Sequence, residues 1–220
     1  MNVERRDLPG DESPSPVRAS PALRPLDALR NATAHRHRSL EAIGPQARLL
    51  SDDYRFAEYR ELLQRFYGLY EPLGAALRAV EGEGLWSSRV GVRTEALLGD
   101  LFDLGVTADD ARRIPRCTAL PEINLPDHVL GCAYVLEGSN LGGRLIHKHL
   151  RTIFAGEPVL PLRFFAGDGT ETGAAWRRYC AAVDAQAADV DELCRAACRT
   201  FDVIHAWLEE RPAAEPAVCS

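Results

Sequence analysis

The sequence predicts an all-α fold: a single compact bundle of about six to eight helices. Apolar residues recur at helical spacing through nearly every long segment, no segment alternates in the manner of a strand, and no stretch repeats another at a fixed period. At 220 residues the chain suffices for one domain with a sizeable core. Residues 1–25 hold five of the 14 prolines among Ser, Asp, Glu and Arg, a composition too polar to offset its own ordering entropy, and are expected to form a disordered N-terminal tail. The helical domain is expected over 26–211, and 212–220 as a flexible C-terminus.

The elements follow in order. LDALRNATAHRHRSLEAIG forms a first helix, stopped by Gly44 and Pro45. Asp52 or Asp53 can cap a second, which places Phe56, Leu62, Leu63, Phe66, Tyr67 and Tyr70 on its apolar side and should bend or break at Gly68 and Pro72. RVGVRTEALLGDLFDLG is a third, and Thr107 caps a short helix over ADDARRI. IPRCTALPEINLP, with three prolines, is a loop. Asp127, just after Pro126, opens the helix that runs through YVLEGSNLGGRLIHKHL, and AGEPVLPLRFFAGDGTETG is again a loop. A long final helix spans about Ala174 to Glu210, with a weak point near Asp189 to Asp191.

The formal net charge is -6 with both signs interspersed, so no basic block is available to grip nucleic acid or an anionic membrane surface. No apolar run approaches the roughly 20 residues that span a bilayer, and the N-terminus lacks the apolar core of a secretion signal, so the expected compartment is the cytoplasm. The six cysteines show neither a CxxC pair nor zinc-type spacing with histidine and read as free thiols. His147 and His149 point about 200° apart on a helix and are poorly placed to share a metal. His128 and His205 read as ordinary bundle residues.

On the first helix, Leu26, Leu29, Thr33, His37, Leu40 and Gly44 fall within a stripe of roughly 80° at about 100° per residue. His37 is therefore expected to face the core and His35 the solvent. A histidine on an apolar face is either a satisfied core residue or a ligand. Glu41, one turn on, can reach the second ring nitrogen and fix the tautomer. Arg30 lies about two turns earlier, roughly 10 Å along the same side, and could meet the acidic edge of a large planar ligand.

Three glycines interrupt the later helix, Gly138, Gly142 and Gly143, each costing about 1 kcal/mol against alanine. Tyr134, Gly138 and Gly142 share one stripe, with Gly143 beside it. A bare stripe admits either a closely crossing helix or a flat ligand, and adjacent glycines permit a kink.

Thr33, His37 and Glu41 near the start, with Tyr-Val-Leu-Glu-Gly-Ser-Asn-Leu-Gly-Gly about a hundred residues later, resemble the biliverdin-producing haem oxygenases, particularly the bacterial branch associated with bacteriophytochromes. The resemblance covers roughly Leu26 to Leu208. It implies an oxidoreductase that opens haem to biliverdin, carbon monoxide and ferrous iron with O2 and electrons from an external donor, a protein or a small reductant, and it raises a bacteriophytochrome as receiver of the product. By it His37 would be the iron ligand, supported by Glu41. Arg30 and Tyr134 would meet haem propionates, and Phe201 would lie near the macrocycle. Gly138, Ser139, Asn140, Gly142 and Gly143 would form the distal wall, where close backbone steers bound oxygen and ordered water supplies a proton. Ser139 stands where many members carry an aspartate, which leaves open the group that anchors that water. A haem-binding or haem-storing protein of the same fold is the rival reading. A di-iron oxidase lacks its Glu-x-x-His pairs here, and a thiaminase-like hydrolase has only Cys132 in the motif helix.

Overall fold

The structure, a computed structural model, describes residues 23–43, 47–80 and 89–210. Among these residues the chain forms eight α-helices and no strand: α1 Pro25–Glu41, α2 Phe56–Val80, α3 Val90–Asp103, α4 Ala108–Arg113, α5 Pro126–Ile153, α6 Arg163–Ala166, α7 Thr172–Gln186 and α8 Val190–Glu209. The tail expected over 1–25, apart from residues 23–25, the stop at Gly44 and Pro45, and the C-terminal segment lie outside the described residues. α5 is the central helix, packed on α6, α7 and α8; α1 lies across α8 and α7, and α2 pairs with α3. No helix among the described residues is long and apolar enough to cross a membrane.

The break expected in the second helix does not occur; α2 runs unbroken through Gly68 and Pro72 for 25 residues. Pro72 has no N–H to give the carbonyl four residues back, which belongs to Gly68. That carbonyl accepts instead from Cys117 N–H at 2.9 Å, so the loop before α5 supplies the bond that proline removes. Gly68 must also be glycine, because a Cβ there would lie 2.2 Å from the Pro115 carbonyl oxygen and 2.9 Å from the Trp207 ring. Three residues earlier, Arg65 is buried and its guanidinium donates to the carbonyls of Trp207 and Glu210. The Trp207 indole N–H donates back to Arg65 O at 2.8 Å. The last carbonyls of α8 are thereby satisfied from within the core.

The expected long final helix divides at its weak point into α7 and α8, and Asp189 caps α8 by accepting from Asp191 N–H and Glu192 N–H. Asp127, in the first turn of α5, accepts from Ala188 N–H at 3.0 Å and Asp189 N–H at 3.1 Å, which pins the α7–α8 corner to the start of α5. Thr107 caps α4 reciprocally with Asp110, as its position predicts. α6 falls in a stretch expected to be loop. It forms because Asp100, fully buried on α3, accepts from Arg163 N–H at 3.0 Å and Phe164 N–H at 2.9 Å. A carboxylate from a distant helix thus satisfies the first donors of a helix too short to hold itself.

Candidate functional site: a bare helix face and an exposed imidazole

α5 presents Gly131, Gly138 and Gly142 along one side, within about 40° of arc. At Gly131 that side is closed: an added Cβ would meet Leu193 O at 2.5 Å and Ala196 Cβ at 2.8 Å, so α8 crosses directly against the backbone. At Gly138 an added Cβ would meet only the Trp176 ring, at 3.8 Å, and at Gly142 nothing lies within 4 Å. One helix therefore carries both a closed and an open stretch of the same stripe. Gly131 makes the helix crossing, and about 16 Å further on the face is open. Leu141 and Leu145 flank the open part and are 46% and 61% exposed, an apolar surface that no described side chain covers.

Gly143 does not belong to the open face. It is buried, and a Cβ there would sit 3.3 Å from the Phe165 carbonyl oxygen of α6. Asn140 is likewise turned away, contrary to its expected place on the distal wall. Two residues on a helix stand about 200° apart, so a side chain at 140 leaves the opposite side of α5 from Gly138. Asn140 is buried there, donating to Glu137 Oε2 at 3.3 Å, and borders a separate cleft with Arg89, Arg93 and Phe164. Ser139 remains exposed beside Gly138, its hydroxyl donating to Leu136 O at 2.7 Å.

His37 was expected to face the core; its side chain is instead 58% exposed. The seam of α1 is closed over Leu26, Leu29 and Thr33, all buried on α1, and opens where His37 emerges. The imidazole rests edge-on against Phe201 of α8, ring centroids 5.9 Å apart at 71°, with Phe201 itself buried. Nδ1 lies 3.5 Å from Glu41 Oε1, which leaves Nε2 as the nitrogen able to reach a ligand. His35 is exposed, as its position predicts.

Arg30 is 57% exposed, with one guanidinium nitrogen 3.4 Å from Asp27 Oδ1. Its charge also reaches the Cys180 thiol of α7. Tyr134 stands half-buried across α7, its ring 5.9 Å from Trp176 and 6.4 Å from Tyr179. Arg30 and Tyr134 thus approach α7 from α1 and α5 respectively, beside residues one helical turn apart, Trp176 and Cys180. Trp176, which lies under Gly138, is a site residue that sequence reasoning missed. In the sequence it is one more apolar position of a periodic helix, and no spacing ties it to the glycines.

Cys117, Cys132, Cys180, Cys194 and Cys198 are free thiols. Cys132 is fully buried, and its thiol is pushed up to about 12 by that burial, with Thr200 acting weakly in the other direction. It stays protonated at neutral pH and is no nucleophile.

The residues present fit a flat macrocycle. An exposed imidazole with a free Nε2 stands on one helix, an open backbone face with flanking leucines on another, and a cation and a phenol beside α7. A search of curated protein sequences finds no match. Among solved structures, the heme oxygenase from Leptospira interrogans matches with a TM-score of 0.63 at 16% identity, over 85% of this chain and 99% of that one. Heme oxygenase-1 from the cyanobacterium Synechocystis sp. PCC6803, solved in complex with heme, matches with a TM-score of 0.60 at 16% identity, over 84% of this chain and 91% of that one. At that identity the likeness is one of fold. The sequence profile of the heme oxygenase family matches residues 24–210, nearly the whole described chain, and the chain belongs to that family.

Proposed function

We propose that the protein is a working haem oxygenase that takes haem between α1 and the open face of α5 and cleaves it to biliverdin, carbon monoxide and ferrous iron, using O2 and electrons from an external donor. The observation that carries the reading is the change along one side of α5, closed by α8 at Gly131 and bare at Gly142, together with the exposed His37 on α1. Haem supplies the iron and the ring on which oxygen is activated.

The chain's own residues bind and orient. His37 Nε2 is the ligand, Glu41 sets the imidazole tautomer through Nδ1, and Phe201 holds the ring plane. Gly138 and Gly142 let the backbone approach the substrate face and place no titratable side chain there, which disfavours proton-assisted chemistry of the peroxidase kind. Ser139 Oγ lies beside that stripe; released from Leu136 O, it can hold a water that carries a proton. Arg30 and the Tyr134 hydroxyl meet the carboxylate edge, and Trp176 borders the face at Gly138. Asn140 and Gly143 face away from the haem slot and contribute to it through the packing of α5.

The Gly-Ser-Asn-Leu-Gly-Gly stretch supports placement in the bacteriophytochrome-associated branch, with a bacteriophytochrome accepting biliverdin in the cytoplasm. The test is to add hemin to the purified protein, supply ascorbate or a reductase system in air, and record visible spectra. A sharp haem band that gives way to biliverdin absorbance supports turnover. A haem band that persists identifies a haem-binding protein instead.

A further inference from the structure

On the side of α5 away from the glycine stripe lies a small solvent-open cleft with a volume of about 30 Å³, between α3, α5 and the segment around α6. Its polar lining is Arg89, Arg93, Asn140, Arg163 and Asp168, with Phe164 as its apolar wall. Two of these cations are already paired. Arg89 meets Asp168 at 2.9 Å, and Arg163 meets Asp100 at 3.2 Å and Asp103 at 2.5 Å. Arg93 is different: its guanidinium stacks 4.1 Å from the Phe164 ring centroid, and its buried Nε has no hydrogen-bond partner. Asn140 is 8% exposed, and its Oδ1 also has no partner. Two orphaned polar atoms bordering one cleft are costly unless something fills it.

Behind them sits Glu137, 4% exposed, which among the described residues accepts two stretched bonds, from Arg89 N–H at 3.4 Å and Asn140 Nδ2 at 3.3 Å. The charged groups facing it are Arg89 and Arg93 of α3 and Asp168 beyond α6; burial, aided by Asp168, pushes its carboxyl up against the pull of the two arginines. A protonated Glu137 has an O–H to donate, and the atom beside it that can accept is the Asn140 amide oxygen. Turning that amide over costs nothing sterically, since its two ends are nearly the same shape. The turn pairs Oδ1 with Glu137 and puts Nδ2 in the place of Oδ1, on a side chain that lines the cleft together with Arg93. The cleft then offers N–H donors and a guanidinium whose charge Glu137 no longer cancels.

We propose that this cleft is a binding site for a small oxyanion, held by Arg93 and the Asn140 amide, with Glu137 taking up one proton as the anion binds. The site is separate from the haem slot and does not rest on the haem reading.

Sulfate, which does not itself titrate between pH 5 and 8, is the probe. Calorimetric titration of the full chain, without haem and again after adding hemin, should give sulfate affinity that rises as pH falls, by up to about tenfold per pH unit where Glu137 titrates, the limit for one linked proton. Glu137→Gln should bind sulfate with that pH dependence gone, and Arg93→Met should lose binding at least about tenfold. Should Arg93→Met fail to fold by circular dichroism, Asn140→Leu serves the same purpose. A crystal soaked in selenate should show its anomalous peak between Arg93 and Asn140. PH-independent affinity in the wild type, unchanged affinity in the Arg93 or Asn140 variant, or no selenate peak in the cleft would each overturn the proposal.

Discussion

At the scale of single residues, the proposed function puts the most chemical weight on His37, a residue with little structural support. It is more than half exposed and touches the fold through one edge-on aromatic contact and one carboxylate. Removing it costs little packing, so His37→Ala should leave the melting temperature of the haem-free protein within about 2 °C while abolishing the sharp haem band; His35→Ala should alter neither. Gly142→Leu puts a side chain into space that is open in the structure. It should fold normally but reduce haem uptake at least about tenfold or change the biliverdin isomer formed, as followed by absorbance titration and chromatography of the product. Glu137 gives a stability prediction with a definite sign. Its carboxyl is held above the ordinary glutamate value, chiefly by burial, so the folded chain binds that proton more tightly than the unfolded chain does. The stability it contributes is whole below the ordinary glutamate value and is lost as pH rises through the raised folded value. Glu137→Gln should therefore match the wild type near pH 4.5 and exceed it at pH 8 by about 1 kcal/mol in urea melts.

At the scale of elements, local chemistry that lies within a few residues is legible in the sequence and long-range hydrogen bonding is not. The Thr107 cap and the division near Asp189 follow from the side chains beside them. The continuity of α2 does not, because the donor that relieves Pro72 comes from Cys117, 45 residues later. α6 is hidden for the same reason, since its N-terminal donors are taken by Asp100 from another helix. His37 was placed correctly on its stripe, but periodicity cannot say where along a seam the covering element stops. Asn140 was misplaced by grouping it with its motif neighbours, although the helical period alone turns it to the far side of α5. Gly68→Ala tests the close approach that lets α2 pass Pro72. With the Pro115 carbonyl 2.2 Å from the new methyl group, the substitution should destabilise the protein by about 2–3 kcal/mol in urea melts, whereas Gly142→Ala, with open space around it, should stabilise it by up to about 1 kcal/mol.

At the scale of the whole molecule, the bundle is built around one helix, α5. Asp127, Gly131 and the Tyr179 hydroxyl, which donates to Leu130 O at 2.9 Å, clamp the first turns of α5 to α7 and α8. Further along, the same helix turns bare toward solvent while the adjoining side stays packed on α6 through Gly143. A ligand that fills the open end binds the folded chain alone and stabilises it by mass action, by about 2.7 kcal/mol at a free concentration one hundred times its dissociation constant. Hemin should therefore raise the melting temperature of the wild type and leave that of His37→Ala nearly unmoved. The most direct measurement is a crystal structure of the haem complex. The account predicts iron bound to His37 Nε2 with the opposite face of the ring against Gly138 and Gly142; iron on any other side chain, or a ring seated away from that stretch of α5, would contradict it.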